Sequence, residues 1–284
     1  MFGQVIFLYI FIYRYMNISI IGLGFVGSAM YESFQQKGIN VTGYDKYKNG
    51  GVGSLATCIE NDLMFLCLPT QYSAETGEYD KSSIIDVLKE LVTHKYTGLI
   101  VLKSTVEPET TTMLYNMFKD THHLNLLHNP EFLTAKTALH DFHNQDHIVL
   151  GKHANCKQEL VDNLEKLYMA YYPNAEISQC DSNESECMKI FVNNFYTSKI
   201  QLFNEYYALC QKSGIDYDNV KDLMLKNKWI NPMHTNVPGT DGKLSYGGYC
   251  FPKDTNALCN HMKRKETPSN VLSAVIKERY EMIT

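Results

Sequence analysis

The chain has 284 residues, 44% of them hydrophobic, and a net charge of −5. This is enough for one large domain or two of ordinary size; with no long basic block, nothing points to a nucleic-acid partner. The eight cysteines (58, 67, 156, 180, 187, 210, 250 and 259) show no CxxC or Cys/His metal spacing, so they read as reduced thiols of a cytoplasm-like compartment and no metal is expected.

Residues 2–13 form an apolar, aromatic-rich run. It is shorter than the roughly 20 residues a membrane-crossing helix needs, and it lacks a positive leader and a small-residue cleavage site. Residues 1–15 are read as an extension or a mis-assigned start. A weak membrane-surface anchor is the functional alternative, and no membrane partner is otherwise expected.

Residues 17–21 are an apolar β-rich run, predicted as a buried parallel strand. Gly22-Leu23-Gly24-Phe25-Val26-Gly27 follows at once. Residues 28–37 have helical character with Gly38 as C-cap, and residues 41–44 form a second strand ending at Asp45. Strand, glycine turn, helix, strand and acid together predict a dinucleotide site. The glycines allow a tight turn and a close pyrophosphate, and Asp45, 18 residues past Gly27, meets the ribose hydroxyls, favouring NAD over NADP.

Further buried strands are predicted at 63–68, ending in Pro69-Thr70, and at 99–102, ending in Lys103-Ser104-Thr105. Ligands collect at such strand ends, although a turn or helix-cap role is the plain alternative for each hydroxyl. A helix opens at 106–110. A strand at 124–127 leads to Asn129-Pro130-Glu131, and one at 148–151 is expected to close the sheet.

Residues 181–212 read as one long helix, with Met188, Phe191, Val192, Phe195, Phe203, Tyr206 and Leu209 near helical spacing. The stripe is expected to be core or a dimer seam. Lys189 and Asn193 are four apart on this helix, so both heads can reach one pocket. A Gly/Pro-rich loop over 229–243 leads to Gly247-Gly248-Tyr249-Cys250-Phe251-Pro252-Lys253-Asp254. Pro252 suits the first turn of a helix. That places Cys250 at the positive end of a helix dipole, which favours a thiolate, and Asp254 one turn further on.

These segments, in this order, resemble the nucleotide-sugar (UDP-glucose/GDP-mannose) dehydrogenase family, the UDP-glucose 6-dehydrogenases in particular, from about Met16 to the C-terminus. Met16 stands where members usually start. The resemblance implies an α/β fold: a Rossmann NAD-binding domain with a mostly parallel, doubly wound sheet (16–180), then a helical central and dimerisation domain (181–284). It implies Cys250 as nucleophile, Lys189 as oxyanion stabiliser, Asn193 as substrate orienter, and Glu131, Thr105 and Asp254 at the reacting carbon and its water. NAD would lie along Gly22, Gly24, Phe25, Val26, Gly27, Asp45, Thr70, Ser104, Thr105, Glu131 and Lys253. The nucleotide sugar would lie against Glu131, Phe132, Leu133, Lys189, Asn193, Tyr246, Gly247 and Cys250.

Three departures stand out. Ala135 replaces a second glutamate present in many relatives. No arginine occupies the loop before Ser245. After Asp254 only 30 residues remain, so the third, nucleotide-holding domain is expected to be absent. The favoured function is NAD-dependent four-electron oxidation of a nucleotide hexose, UDP-glucose first, by a cytoplasmic homodimer. The alternatives are a catalytically silent or partner-dependent nucleotide-sugar binder and a two-electron β-hydroxyacid dehydrogenase.

Overall fold

The computed structural model describes residues 16–283; the expectations for residues 1–15 lie outside this range. The chain forms two compact units. One runs through Thr70 and resumes over Asp80–Lys189; the other joins Gln71–Tyr79 to the chain from Ile190 onward.

In the first unit, β1 (Ile18–Ile21) leads through the glycine turn into α1 (Phe25–Gln36), then β2 (Val41–Tyr44), α2 (Leu55–Ile59) and β3 (Leu63–Leu66). After residues 71–79 come α3 (Ser82–Thr93), β6 (Leu99–Leu102), α4 (Thr110–Phe118), β7 (Asn125–His128), α5 (Ala138–His143), β8 (His147–Lys152), α6 (Gln158–Tyr171) and β9 (Glu176–Asp181). The strands form one sheet in the order β2-β1-β3-β6-β7-β8-β9, parallel except between β7 and β8. The expected closure at β8 is therefore corrected: β8 reverses direction, and β9 adds the edge. Residues 176–181 have mixed burial rather than an apolar run, so they lack the signal that marks the central strands.

Side chains alternate across a strand, and both faces of this sheet are covered. Ile18 and Ile20, Leu63 and Phe65, and Leu99 and Val101 join one core. Ile21, Met64 and Leu66, and Ile100 and Leu102 join the other. That is why these strands read as unbroken apolar runs.

The second unit contains a short hairpin, β4 (Tyr72–Ser73) and β5 (Glu78–Tyr79), which turns at Gly77 with φ +69. No strand was expected there, because two-residue strands carry no periodicity. The unit also holds most of α7 (Ser182–Ser213), then α8 (Tyr217–Leu225), α9 (Cys250–Arg264) and α10 (Asn270–Ile283). Tyr79, Ile190, Ala257 and Leu258 form one small core; Phe203, Cys210, Tyr217 and Val237 form another. The aromatic stripe of α7 is split: Phe203 is buried, whereas Phe191, Phe195 and Leu209 are exposed. Trp229, the chain's single tryptophan, is 95% exposed.

Candidate active site

The glycine turn sits at the C-terminal end of β1, between its neighbours β2 and β3. Gly22 has φ +88, and a Cβ there would stand 2.6 Å from the Cys67 carbonyl oxygen. At Gly27 a Cβ would stand 1.8 Å from the Gly22 carbonyl oxygen. Only glycine closes this turn and lets α1 pack on it. Gly24 differs, because a Cβ there would meet nothing within 4 Å. Gly24 is the N-cap of α1, whose first turn carries no acidic residue and no side-chain cap. Its backbone amides therefore suit a pyrophosphate. Phe25 and Val26 already lie in this helix, and Phe25 is exposed.

Asp45 accepts from the Leu23 amide at 2.8 Å and from the Tyr47 and Lys48 amides at 2.9 Å each. Burial pulls its carboxyl up, but these N–H groups and the Lys48 charge outweigh it, and the net shift is downward. A carboxylate held ionised at the end of β2 suits ribose hydroxyls and opposes a 2′-phosphate. The residues present thus fit NAD.

Thr70 and Ser104 tie neighbouring loops together. The Thr70 hydroxyl donates to the Thr105 carbonyl at 2.7 Å, and the Ser104 hydroxyl donates to the Leu68 carbonyl at 2.6 Å. Thr105 itself is half-buried.

Glu131, Phe132, Leu133 and Lys189 come together. The Lys189 ammonium donates to the Glu131 backbone carbonyl, stands 3.5 Å from the Glu131 carboxylate and lies 5.2 Å above the Phe132 ring. The other Glu131 oxygen accepts from the Leu133 amide at 2.6 Å. Phe132 in turn stacks on His147 at 5.9 Å. Lys189 is buried, so its charge is expressed against few waters.

In the second unit, Cys250 opens α9 as its first residue, is exposed, and follows Gly248, which has φ +75. Asp254, one turn on, is fully buried. Its carboxylate accepts from the Tyr79 phenol, from the Asn193 amide at 2.6 Å and from the Lys253 ammonium at 2.7 Å. Three of the about four acceptor positions of a carboxylate are thereby filled. Lys253 also lies 4.4 Å over the Tyr79 ring. Tyr246 is buried, with its carbonyl accepting from Arg279 at 2.9 Å and its ring facing the Arg279 guanidinium; the adjoining Gly247 is exposed.

Sequence reasoning missed Tyr79 and Glu186. Glu186 is buried three residues before Lys189 on α7 and caps α4, accepting from the Thr110 amide at 3.2 Å and the Thr111 amide at 2.7 Å. The E-x-x-K spacing on one helix face was its only visible signal. Among the described residues there is no cluster of metal-ligating side chains and no helix long and apolar enough to cross a membrane. Among the described residues no disulfide links any of the eight cysteines.

Two family models match the chain. Residues 53–171 match the NAD binding domain of the UDP-glucose/GDP-mannose dehydrogenase family, and residues 183–278 match that family's central domain. The chain belongs to the UDP-glucose/GDP-mannose dehydrogenase family. A UDP-glucose 6-dehydrogenase of Rickettsia bellii is 34% identical over 224 residues, 78% of this chain and 49% of that protein. The UDP-glucose 6-dehydrogenase YwqF of Bacillus subtilis is 29% identical over 300 residues, 92% of this chain and 65% of that protein. The chain thus spans about half to two thirds of the length of these family members. A UDP-glucose dehydrogenase from Pyrobaculum islandicum shares the fold with a TM-score of 0.82 at 24% identity, over 94% of this chain and 68% of that one. The NAD-binding match runs from α2 through α6 and takes in β3, β6, β7 and β8 of the sheet, and the central-domain match runs from α7 into α10.

Proposed function

We propose that the protein catalyses NAD-dependent oxidation of the C6 alcohol of a nucleotide hexose to the acid, with UDP-glucose as the first candidate. The observation that carries this reading is Cys250: an exposed thiol on the first turn of a 15-residue helix, where the dipole favours the thiolate. A plain alcohol dehydrogenase needs no nucleophile. The similarity to relatives named UDP-glucose 6-dehydrogenase supports the choice of sugar.

When bound, NAD would supply the hydride acceptor, one molecule for each of the two oxidations. After the first oxidation, the Cys250 sulfur adds to the aldehyde carbon and gives a thiohemiacetal alkoxide. Lys189 and Asn193 stabilise that oxyanion. Its oxidation leaves a thioester on Cys250. Water adds to the thioester carbon and the thiolate leaves, giving the acid. Glu131 and Thr105 handle the water's proton and position. Asp254 orients Asn193 and holds Lys253, since three of its about four acceptor positions are taken within its unit. Residues 16–180 serve as the cofactor domain and 181–284 as the central domain. The exposed Phe191, Phe195 and Leu209 face of α7 supports a homodimer.

The test is the yield of NADH per sugar with limiting UDP-glucose and excess NAD. Two per sugar is expected. One would mean the reaction ends at the aldehyde, and full acid formation by Cys250→Ala would end the covalent route.

A further inference from the structure

Lys103 is a lysine almost without solvent contact, 2% exposed at the end of β6. Burying a charged amine is costly unless it is well hydrogen-bonded. A side chain needed only for packing there would be served by methionine. Its ammonium donates to the Asn129 side-chain oxygen at 3.1 Å and to the Pro130 carbonyl at 3.4 Å, and faces the Phe142 ring at 5.7 Å.

Asn129 is pinned from several sides. Its oxygen also accepts from the Tyr168 phenol at 2.7 Å, its side-chain amide donates to the Val149 carbonyl at 2.8 Å, and its backbone amide donates to the Leu102 carbonyl at 2.9 Å. The next carbonyl along, that of Glu131, is the one Lys189 takes. Two ammonium groups therefore hold consecutive carbonyls of one short segment.

We propose that Lys103 is a positioning residue that fixes the Asn129–Pro130–Glu131 segment and thereby sets where Glu131 meets Lys189. The inference rests on the reading of Glu131 and Lys189 as active-site groups. Burial pushes the Lys103 amine down to about 8; Cys67 and Glu131 pull it up, and Lys189 pushes it down. The remaining titratable neighbours are fixed: burial holds the Cys67 thiol up at about 12, the His128 ring down at about 3 and the Tyr168 phenol well above its ordinary value. In mildly alkaline solution Lys103 therefore loses charge and a donor beneath the segment.

The experiment uses full-length protein with lysines labelled with 13C at Cε, titrated between about pH 6 and pH 10. Lys103→Met and Lys189→Arg serve for assignment. Lys103 is expected to titrate near 8, and the Lys189 signal to show an inflection at the same midpoint. In Lys103→Met that inflection disappears. Hydrogen exchange over residues 129–133 rises by about tenfold or more, while that of β6 and β7 is unchanged. With UDP-glucose, kcat falls about tenfold or more with KM nearly constant. Unchanged exchange over 129–133 in Lys103→Met would overturn the proposal. So would a wild-type Lys189 signal indifferent to the titration of Lys103, a measurement that stands even if the variant does not fold. Exchange and titration as expected in a protein that forms no NADH would keep the positioning role and sink the functional reading.

Discussion

The Tyr79 phenol donates to the Asp254 carboxylate across 175 residues of sequence. A two-residue strand of the hairpin thus holds the acid that in turn holds Asn193. Asp254 has no solvent exposure, so each donor it loses leaves a buried acceptor short of a partner.

Tyr79→Phe keeps the ring under Lys253 and removes only the hydroxyl. Stability is expected to fall by about 1–3 kcal/mol, measured by urea unfolding. NADH formation is expected to slow by about tenfold with the KM for NAD unchanged. An unaltered kcat would show that Asp254 stays in place without the phenol.

The glycines of the turn make separable predictions. Gly27→Ala forces a Cβ to within 1.8 Å of the Gly22 carbonyl oxygen, and the first unit is expected to lose several kcal/mol, on the order of other overpacked sites. Gly24→Ala meets nothing, so thermal unfolding should stay close to the parent. NAD binding should weaken by about tenfold or more, measured by calorimetry, because the methyl stands where the pyrophosphate approaches. Unchanged affinity in Gly24→Ala would move the phosphates elsewhere.

Glu186 makes a pH prediction. Burial raises its carboxyl to about 7, against the Thr111 hydroxyl and the surrounding amides, which lower it. A raised carboxyl means the folded state holds a proton that the unfolded state releases near the ordinary value of 4.5. Its contribution to stability is full below about 4.5 and is lost as pH rises through about 7. The size is about 1–3 kcal/mol. Glu186→Gln removes the titration, so the stability difference between parent and variant should move in the variant's favour as pH rises through that window. Parallel curves from urea unfolding across the window would contradict this.

The Rossmann half was legible because its signals are local. A strand of four buried residues, a glycine turn whose first and last glycines admit no Cβ and an acid at the end of β2 all lie within about thirty consecutive residues. The Cys250 segment was legible for the same reason, with Pro252 marking the first turn of α9. What reads poorly from sequence is partnership at a distance. Glu186 meets Thr111 across 75 residues, and Lys103 meets Asn129 across 26. Neither pair has a spacing that a window of sequence exposes. Lys253 shows the converse: its place in the motif was plain, but the ring that receives its charge belongs to a hairpin with no sequence signature. The exposed side of α7 carries the same kind of apolar residues as its buried side, so periodicity there could not separate core from surface.

Because Trp229 is the chain's single tryptophan and stands 95% exposed, its indole fluorescence is already that of a water-bathed ring in the native protein. Denaturation has little left to expose, and tyrosine or circular dichroism will follow unfolding better. The same exposure gives the protein a built-in optical probe: a blue shift on adding nucleotide sugar, or on raising the protein concentration, would report the moment something covers the loop that carries Trp229.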